Sequence, residues 1–375
     1  MLYKLQFISL SKLLIFFVVW SSFFSFLYMN LYLFCVFVIS SGLLVYKEYK
    51  YIITIINRYK DSSYVLFIYL IVFSIPFIVF NNYSTIAYYL LTIWSIFLAI
   101  IFLKDKNIIY FYDGIKFLLF TFVLITLIYI YITQGLYPPQ YRLDYMIGGN
   151  VSGNGPTSFL NVLLGVYTAL RMKLKNRSSM IVSLLSLYIV IEGYGRGSII
   201  FVLIMIILNF IFIFFHLKKN WKLFYITIFT LALIILIPFF FEVFSTTKLS
   251  QGLDSPRILI AQEYLNHMDI FGLFFGISYE NTIISNLYDN NPHIAYIRTH
   301  HIFGLFYLLG LLYIMLEKLF YVVSSSNLVN WMILFISLNI LLRALSEPIL
   351  FPTLFDTFFL VTLFLITKKI KKENI

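Results

Sequence analysis

Two kinds of side chain in this sequence are placed to do chemistry. Four of the five histidines, His267, His293, His300 and His301, fall in one 35-residue stretch. Five arginines, Arg142, Arg196, Arg257, Arg298 and Arg343, stand in regions otherwise almost free of lysine. A guanidinium presents a planar fork of donors that grips phosphate or carboxylate through paired hydrogen bonds, whereas an ammonium is a point charge. A neutral imidazole accepts a proton near pH 7. The pattern fits the binding of an anion with defined geometry, a phosphate foremost, beside a proton acceptor.

Arg196 is the sharpest single position. It sits in Glu192-Gly193-Tyr194-Gly195-Arg196-Gly197-Ser198, between two apolar runs. The glycines let backbone and ligand approach closely, and Ser198 can open the next helix with free amides facing an anion. The plainer reading pairs Arg196 with Glu192. His300 and His301 stand beside Arg298, whose charge disfavours the imidazolium form. No His-Glu-x-x-His or Cys/His cluster is present, so no metal is expected.

These residues must be held by elements that live in lipid. Of 375 residues, 61% are hydrophobic and only 11% charged, too few polar groups to cover a water-soluble fold. A soluble enzyme, a secreted disulfide scaffold and a nucleic-acid module are excluded. The single cysteine, Cys35, lies in an apolar run and cannot form an internal disulfide. Apolar runs cover 10–27, 31–45, 64–80, 85–103, 117–133, 158–170, 180–191, 198–217, 223–241, 302–316, 328–345 and 354–367. The expected fold is an all-α polytopic membrane protein of about twelve transmembrane helices. The chain 1–375 forms one integral membrane domain, and its N-terminal segment reads as an uncleaved signal anchor.

With both termini cytoplasmic, 21 of the 27 basic residues fall inside, as the positive-inside rule requires. The +11 net charge is then a topology signal and calls for no nucleic acid. Inside, 3 arginines accompany 18 lysines; outside, 5 arginines accompany Lys248 alone. Arginine is therefore concentrated where positive charge is otherwise avoided. Snorkelling at the interface, or pairing with the ten outside carboxylates, is the alternative use of these side chains. Lys248 and Arg343 read as boundary charges.

Two outside loops exceed simple connections. Residues 134–157 contain Tyr137-Pro138-Pro139, Arg142 and five glycines. Residues 242–301 form a large periplasmic loop between crossings nine and ten, carrying most candidate site residues. Within it Ser255 and Pro256 start a helix, with Ile258, Ala261, Leu265 and Met268 on one apolar face that rests on membrane or bundle. The helix ends before Gly272, and Asp289-Asn290-Asn291-Pro292 forms a turn.

At this point the chain resembles the O-antigen polymerase (Wzy) and O-antigen ligase superfamily of bacterial envelope glycosyltransferases. The resemblance rests on the twelve crossings, the Gly-Arg-Gly turn at 195–197 and the large loop after the ninth crossing. It also rests on Asp254-Ser255-Pro256-Arg257 leading to Ile270-Phe271-Gly272-Leu273-Phe274-Phe275-Gly276, and on Thr299-His300-His301-Ile302-Phe303 opening the tenth crossing. Arg142 and Gly153, ten residues intervening, are similar to a pattern of some polymerases. Gly195-Arg196 stands where the family has Ser-Arg, and His300-His301 where it has His-Asn.

The resemblance implies a donor glycan carried on undecaprenyl diphosphate, attacked at its anomeric carbon by an acceptor hydroxyl while polyprenyl diphosphate departs. His300 or His301 would be the base and Arg196 and Arg257 the diphosphate clamp. Arg142 and Arg298 would hold glycan. The implied function is polymerisation of O-antigen, or a related surface polysaccharide, at the periplasmic face of the bacterial inner membrane. It needs no cofactor or metal, and its partners are the lipid-linked oligosaccharide, membrane lipid and a chain-length regulator protein. O-antigen ligase is the alternative within the superfamily. A lipid-linked oligosaccharide flippase is the alternative of another class, although such transporters show internal repeats and ionisable residues in mid-membrane.

Overall fold

The computed structural model describes residues 9–58, 63–79, 84–137, 142–146, 154–246 and 256–368. Every regular element among them is a helix, and each apolar run coincides with or overlaps one. These are α1 (Leu10–Tyr28), α2 (Leu31–Arg58), α3 (Ser63–Val79), α4 (Ser84–Phe102), α5 (Asn107–Ile132), and then, after α6 (Arg142–Met146), α7 (Asn154–Lys175). There follow α8 (Met180–Glu192), α9 (Arg196–His216) and α10 (Lys219–Thr246). The loop helices α11 (Pro256–Asn266), α12 (Ile270–Phe275) and α13 (Ile283–Leu287) lead to α14 (Ala295–Ser325), α15 (Leu328–Ala344) and α16 (Asp356–Leu365). Among the described residues α1, α2, α5, α9 and α14 are each long and apolar enough to cross a membrane. Shorter apolar stretches lie in α3, α4, α8, α15 and α16. The proposed N-cap Ser255, Lys248, Gly153 and the Pro138-Pro139 pair lie outside the described residues.

The outer surface carries exposed Phe17, Ile39, Leu124 and Ile181, as expected of helices solvated by lipid. Inside, α7 and α16 form the centre. All ten residues of α16 are buried, and so is every residue of 156–170 in α7. Helix α7 runs beyond its apolar run at both ends, and within it Thr157, Ser158, Asn161 and Thr168 face protein, where small and polar residues let helices pack closely. Gly165 packs against α15, where an added β-carbon would stand 3.0 Å from Ile340 Cδ1. Buried hydroxyls return to their own helix, as Thr126 does by donating to the carbonyl of Phe122 at 2.7 Å.

The two ends of the bundle differ in chemistry. At one, lysines tie helix ends together. Lys47 donates to Ser11 at 2.7 Å, Lys104 pairs with Glu48 at 2.7 Å, and Lys368 pairs with Asp105 at 2.7 Å. Lys173 donates to Asn330 at 2.8 Å and to the carbonyl of Ile366 at 3.2 Å. At the other end the contacts are made by arginines.

The large loop has structure of its own. Helix α11 exists, but Ile258 and Leu265 are exposed; its buried face carries Ile260 and Tyr264, packed with Tyr279 and Ile284 in a separate small core. The histidine pair lies in the second turn of α14, one turn before the break at Gly304, where φ is +66°.

Candidate functional site

The turn between α8 and α9 is three residues long. Tyr194 takes a left-handed φ of +52°, and Gly195 is the N-cap that leaves Arg196 as the first helical residue. Gly193 and Gly197 are required by contact. A β-carbon on Gly193 would stand 2.5 Å from Thr157 Cγ2 and 2.8 Å from Leu143 Cδ1. One on Gly197 would stand 2.9 Å from Arg343 Nη1 and 3.0 Å from Ser346 Oγ.

Arg343 is the hub of this region. The sequence presents it as a boundary charge, but it is only 4% exposed. Its Nη2 donates to Ser158 at 2.6 Å and to Ser198 at 3.2 Å, and its Nη1 donates to Ser346 at 2.5 Å. Ser198 in turn donates to Thr157 at 3.0 Å. Glu347, one turn beyond Arg343, lies 3.7 Å from its Nη2 and accepts from Arg257 at 2.8 Å. The turn that bears Arg196 and the helix that bears Arg257 therefore meet on the same Arg343-Glu347 pair. The signal that could have found it is the arginine bias itself, together with the i,i+4 spacing of Arg343 and Glu347.

The other two arginines are occupied differently. Arg142, 5% exposed, pairs with Glu192 at 2.5 Å and pins α6 to the end of α8. Glu192, the carboxylate that the sequence offers to Arg196, thus serves Arg142. Arg298 donates to the carbonyls of Pro348, Leu350 and Phe351 at 2.7, 2.8 and 3.3 Å, closing the segment before α16.

The histidines are positioned by a close crossing of backbone over helix. Asp269 caps α12 by accepting from the amide of Gly272 at 2.5 Å. The chain then passes over α14 with two glycines at the contact. Gly276 has φ +84°, and a β-carbon there would stand 2.4 Å from the His300 carbonyl oxygen. At Gly304 a β-carbon would stand 2.0 Å from the Phe274 carbonyl oxygen. This crossing delivers carbonyls to both imidazoles. His300 Nε2 lies 2.7 Å from the Leu273 carbonyl, and its Nδ1 lies 2.8 Å from the Tyr264 hydroxyl. Because a carbonyl only accepts, Nε2 carries the proton and Nδ1 accepts from tyrosine. Burial pushes the phenols of Tyr264 and Tyr279 above the usual tyrosine range, so both stay protonated at neutral pH.

His301 is arranged differently. Its Nδ1 donates to the Ile277 carbonyl at 2.5 Å, and its ring stacks on Tyr279 with centroids 3.9 Å apart. Its Nε2 is then the lone-pair nitrogen, with no hydrogen-bond partner among the described residues. Tyr264 follows Arg257 by seven residues, so about 10 Å of α11 separates the arginine cluster from the histidine pair. His293 faces Arg257 and Glu347; burial pushes its imidazole below the usual range, Glu347 raises it and Arg257 lowers it. His267, just past the end of α11, is exposed, and its ring bonds the Glu263 carbonyl one turn back.

Among the described residues no three His, Cys, Asp or Glu side chains gather as a metal site. No protein-family model and no curated protein sequence matches the chain.

Proposed function

We propose that this protein is an integral membrane glycosyltransferase that polymerises oligosaccharide repeat units carried on undecaprenyl diphosphate, in the manner of the O-antigen polymerases it resembles. The observation that carries the reading is that the turn bearing Arg196 and the helix bearing Arg257 meet on Arg343 and Glu347, about 10 Å along α11 from a histidine, His301, whose Nε2 has no hydrogen-bond partner among the described residues. Twelve crossings with both termini cytoplasmic would set that end at the periplasmic face of the inner membrane.

In this reading His301 Nε2 takes the proton of the acceptor hydroxyl as its oxygen bonds to the anomeric carbon. The bond from that carbon to the diphosphate oxygen breaks, and Arg196 and Arg257 receive the charge that builds on the departing diphosphate. A positioned base contributes typically a hundred- to ten-thousandfold. Preorganised positive charge at the leaving group is usually the larger effect. His300, with both nitrogens engaged, holds the helix turn in register, and Arg142 and Arg298 brace the walls. Undecaprenyl would lie against the apolar helices, and a chain-length regulator would act from outside the bundle.

Deletion of the gene tests the reading through the lipopolysaccharide profile. A single repeat on lipid A-core supports polymerase. Unmodified core points to ligase or flippase, and an unchanged ladder rejects all three.

A further inference from the structure

At the lysine-bearing end, opposite the histidines, a cavity of about 330 Å³ opens between the ends of α7 and α9 and the turn into α8. Arg171, Asn176, Arg177, Ser178 and His216 line it together with apolar Phe212, and no carboxylate does so among the described residues. Arg171 and Arg177 are two of the three arginines in inner segments that otherwise use lysine. Neither forms an ion pair among the described residues. Arg171 is held in place by donating through Nη1 to the Tyr167 hydroxyl, and its guanidinium lies 5.7 Å from the centre of that ring. Its buried Nε has no partner among the described residues.

The surrounding backbone adds to the positive potential. Ser179 would ordinarily cap α8, but its hydroxyl is engaged with Thr168 at 2.5 Å and Asn209 at 3.2 Å. The first amides of this 13-residue helix therefore receive no side-chain cap, two residues from Ser178 in the cavity wall. Uncapped amides and two guanidiniums without carboxylates favour a compact anion. Phe212 beside them favours an anion with an apolar body. Basic pockets between helix ends on the cytoplasmic side are suited to lipid headgroups.

We propose that this cavity binds a phosphate group, and that its source is the headgroup of an anionic glycerophospholipid in the leaflet at the lysine-bearing end. The bound lipid would tie α7, α8 and α9 together at the end remote from the proposed chemistry.

The test uses the full-length protein purified in detergent. Dioleoyl phosphatidylglycerol and dioleoyl phosphatidylcholine are titrated separately, with retained lipid counted by native mass spectrometry and thermal stability followed in parallel. Phosphatidylglycerol should be retained and should raise the melting temperature by several degrees more than phosphatidylcholine. Arg177→Gln, which removes an exposed side chain with no bond to the fold, should weaken retention about tenfold. Arg171→Gln should do the same or more. Lys106→Gln/Lys116→Gln removes two exposed charges from the same end and should leave retention within about twofold. Equal loss in the lysine variant, or no preference for phosphatidylglycerol, would overturn the proposal. Millimolar inorganic phosphate is the third arm: if it displaces the lipid and stabilises the protein equally, the lipid source is rejected and free phosphate takes its place.

Discussion

The Nδ1 atom of His301 stands 2.5 Å from the carbonyl oxygen of Ile277, and that contact determines which of two adjacent histidines can accept a proton. A carbonyl cannot donate, so His301 is fixed as the tautomer whose Nε2 holds the lone pair. His300, the neighbouring residue, has a carbonyl on Nε2 and a tyrosine hydroxyl on Nδ1. Among the described residues His301 keeps one ring nitrogen without a partner, whereas both nitrogens of His300 are engaged. The difference arises from the register in which 273–277 crosses α14.

His301→Gln should therefore lower transfer by about a hundred- to ten-thousandfold, the usual worth of a positioned base. Tyr264→Phe removes only the hydroxyl on His300 and should cost less than about tenfold. Rates from purified variants in liposomes decide this. Equal losses in the two variants would move the base from His301 to His300.

Arg343→Lys should not be tolerated, contrary to what its place at the end of an apolar run suggests. One ammonium cannot reach Ser158, Ser198 and Ser346 from a single stem as the guanidinium does. Each charge-assisted hydrogen bond lost is worth about 1.5–3 kcal/mol. A melting temperature lower by several degrees in detergent is expected; an unchanged one would show that charge alone suffices at this hub.

Gly276→Ala and Gly304→Ala should each reduce the amount of folded protein in the membrane sharply. The added methyl at either site meets backbone, and positive φ strains any other residue there. Gly42→Ala is the control, since its β-carbon would meet nothing within 4 Å. Comparable abundance of all three would contradict the close crossing.

Acid should weaken the loop through His293. Its folded-state pKa lies below the ordinary value of 6.5, so the unfolded chain binds the proton first as pH falls. Stability is unaffected well above that value and declines as pH drops through it. His293→Asn should show a smaller fall in melting temperature between pH 7.5 and 5.5 than the wild type. An equal fall would place the acid sensitivity elsewhere.

Helices were legible in the sequence because lipid demands long apolar runs, and the break at Met29, left-handed with φ +48°, shows as a polar interruption. Helix α7 is only partly legible: its first turn, Asn154-Gly155-Pro156-Thr157, is glycine, proline and polar residues and reads as the end of a loop. Helix α11 carries a second apolar pattern that the sequence does not single out, Ile260 and Tyr264, and this is the one buried against Tyr279 and Ile284. Arg196, Arg257 and the histidines stood out by residue type. The meeting of Arg257 and of the turn that bears Arg196 on Glu347 and Arg343 depends on contacts spanning 90 and 145 residues, which no local pattern encodes.

The proposed grip of arginine forks on a diphosphate leaving group is tested most directly by one measurement. Purified protein in liposomes is given undecaprenyl-diphosphate-linked repeat unit, and the initial rate of chain growth is compared for wild type, Arg196→Lys and Arg257→Lys. Lysine keeps the charge but loses the paired bond, so each variant should slow growth by roughly ten- to a hundredfold at about 1.4 kcal/mol per tenfold. Undiminished growth in both lysine variants, or no growth by the wild type, would contradict it.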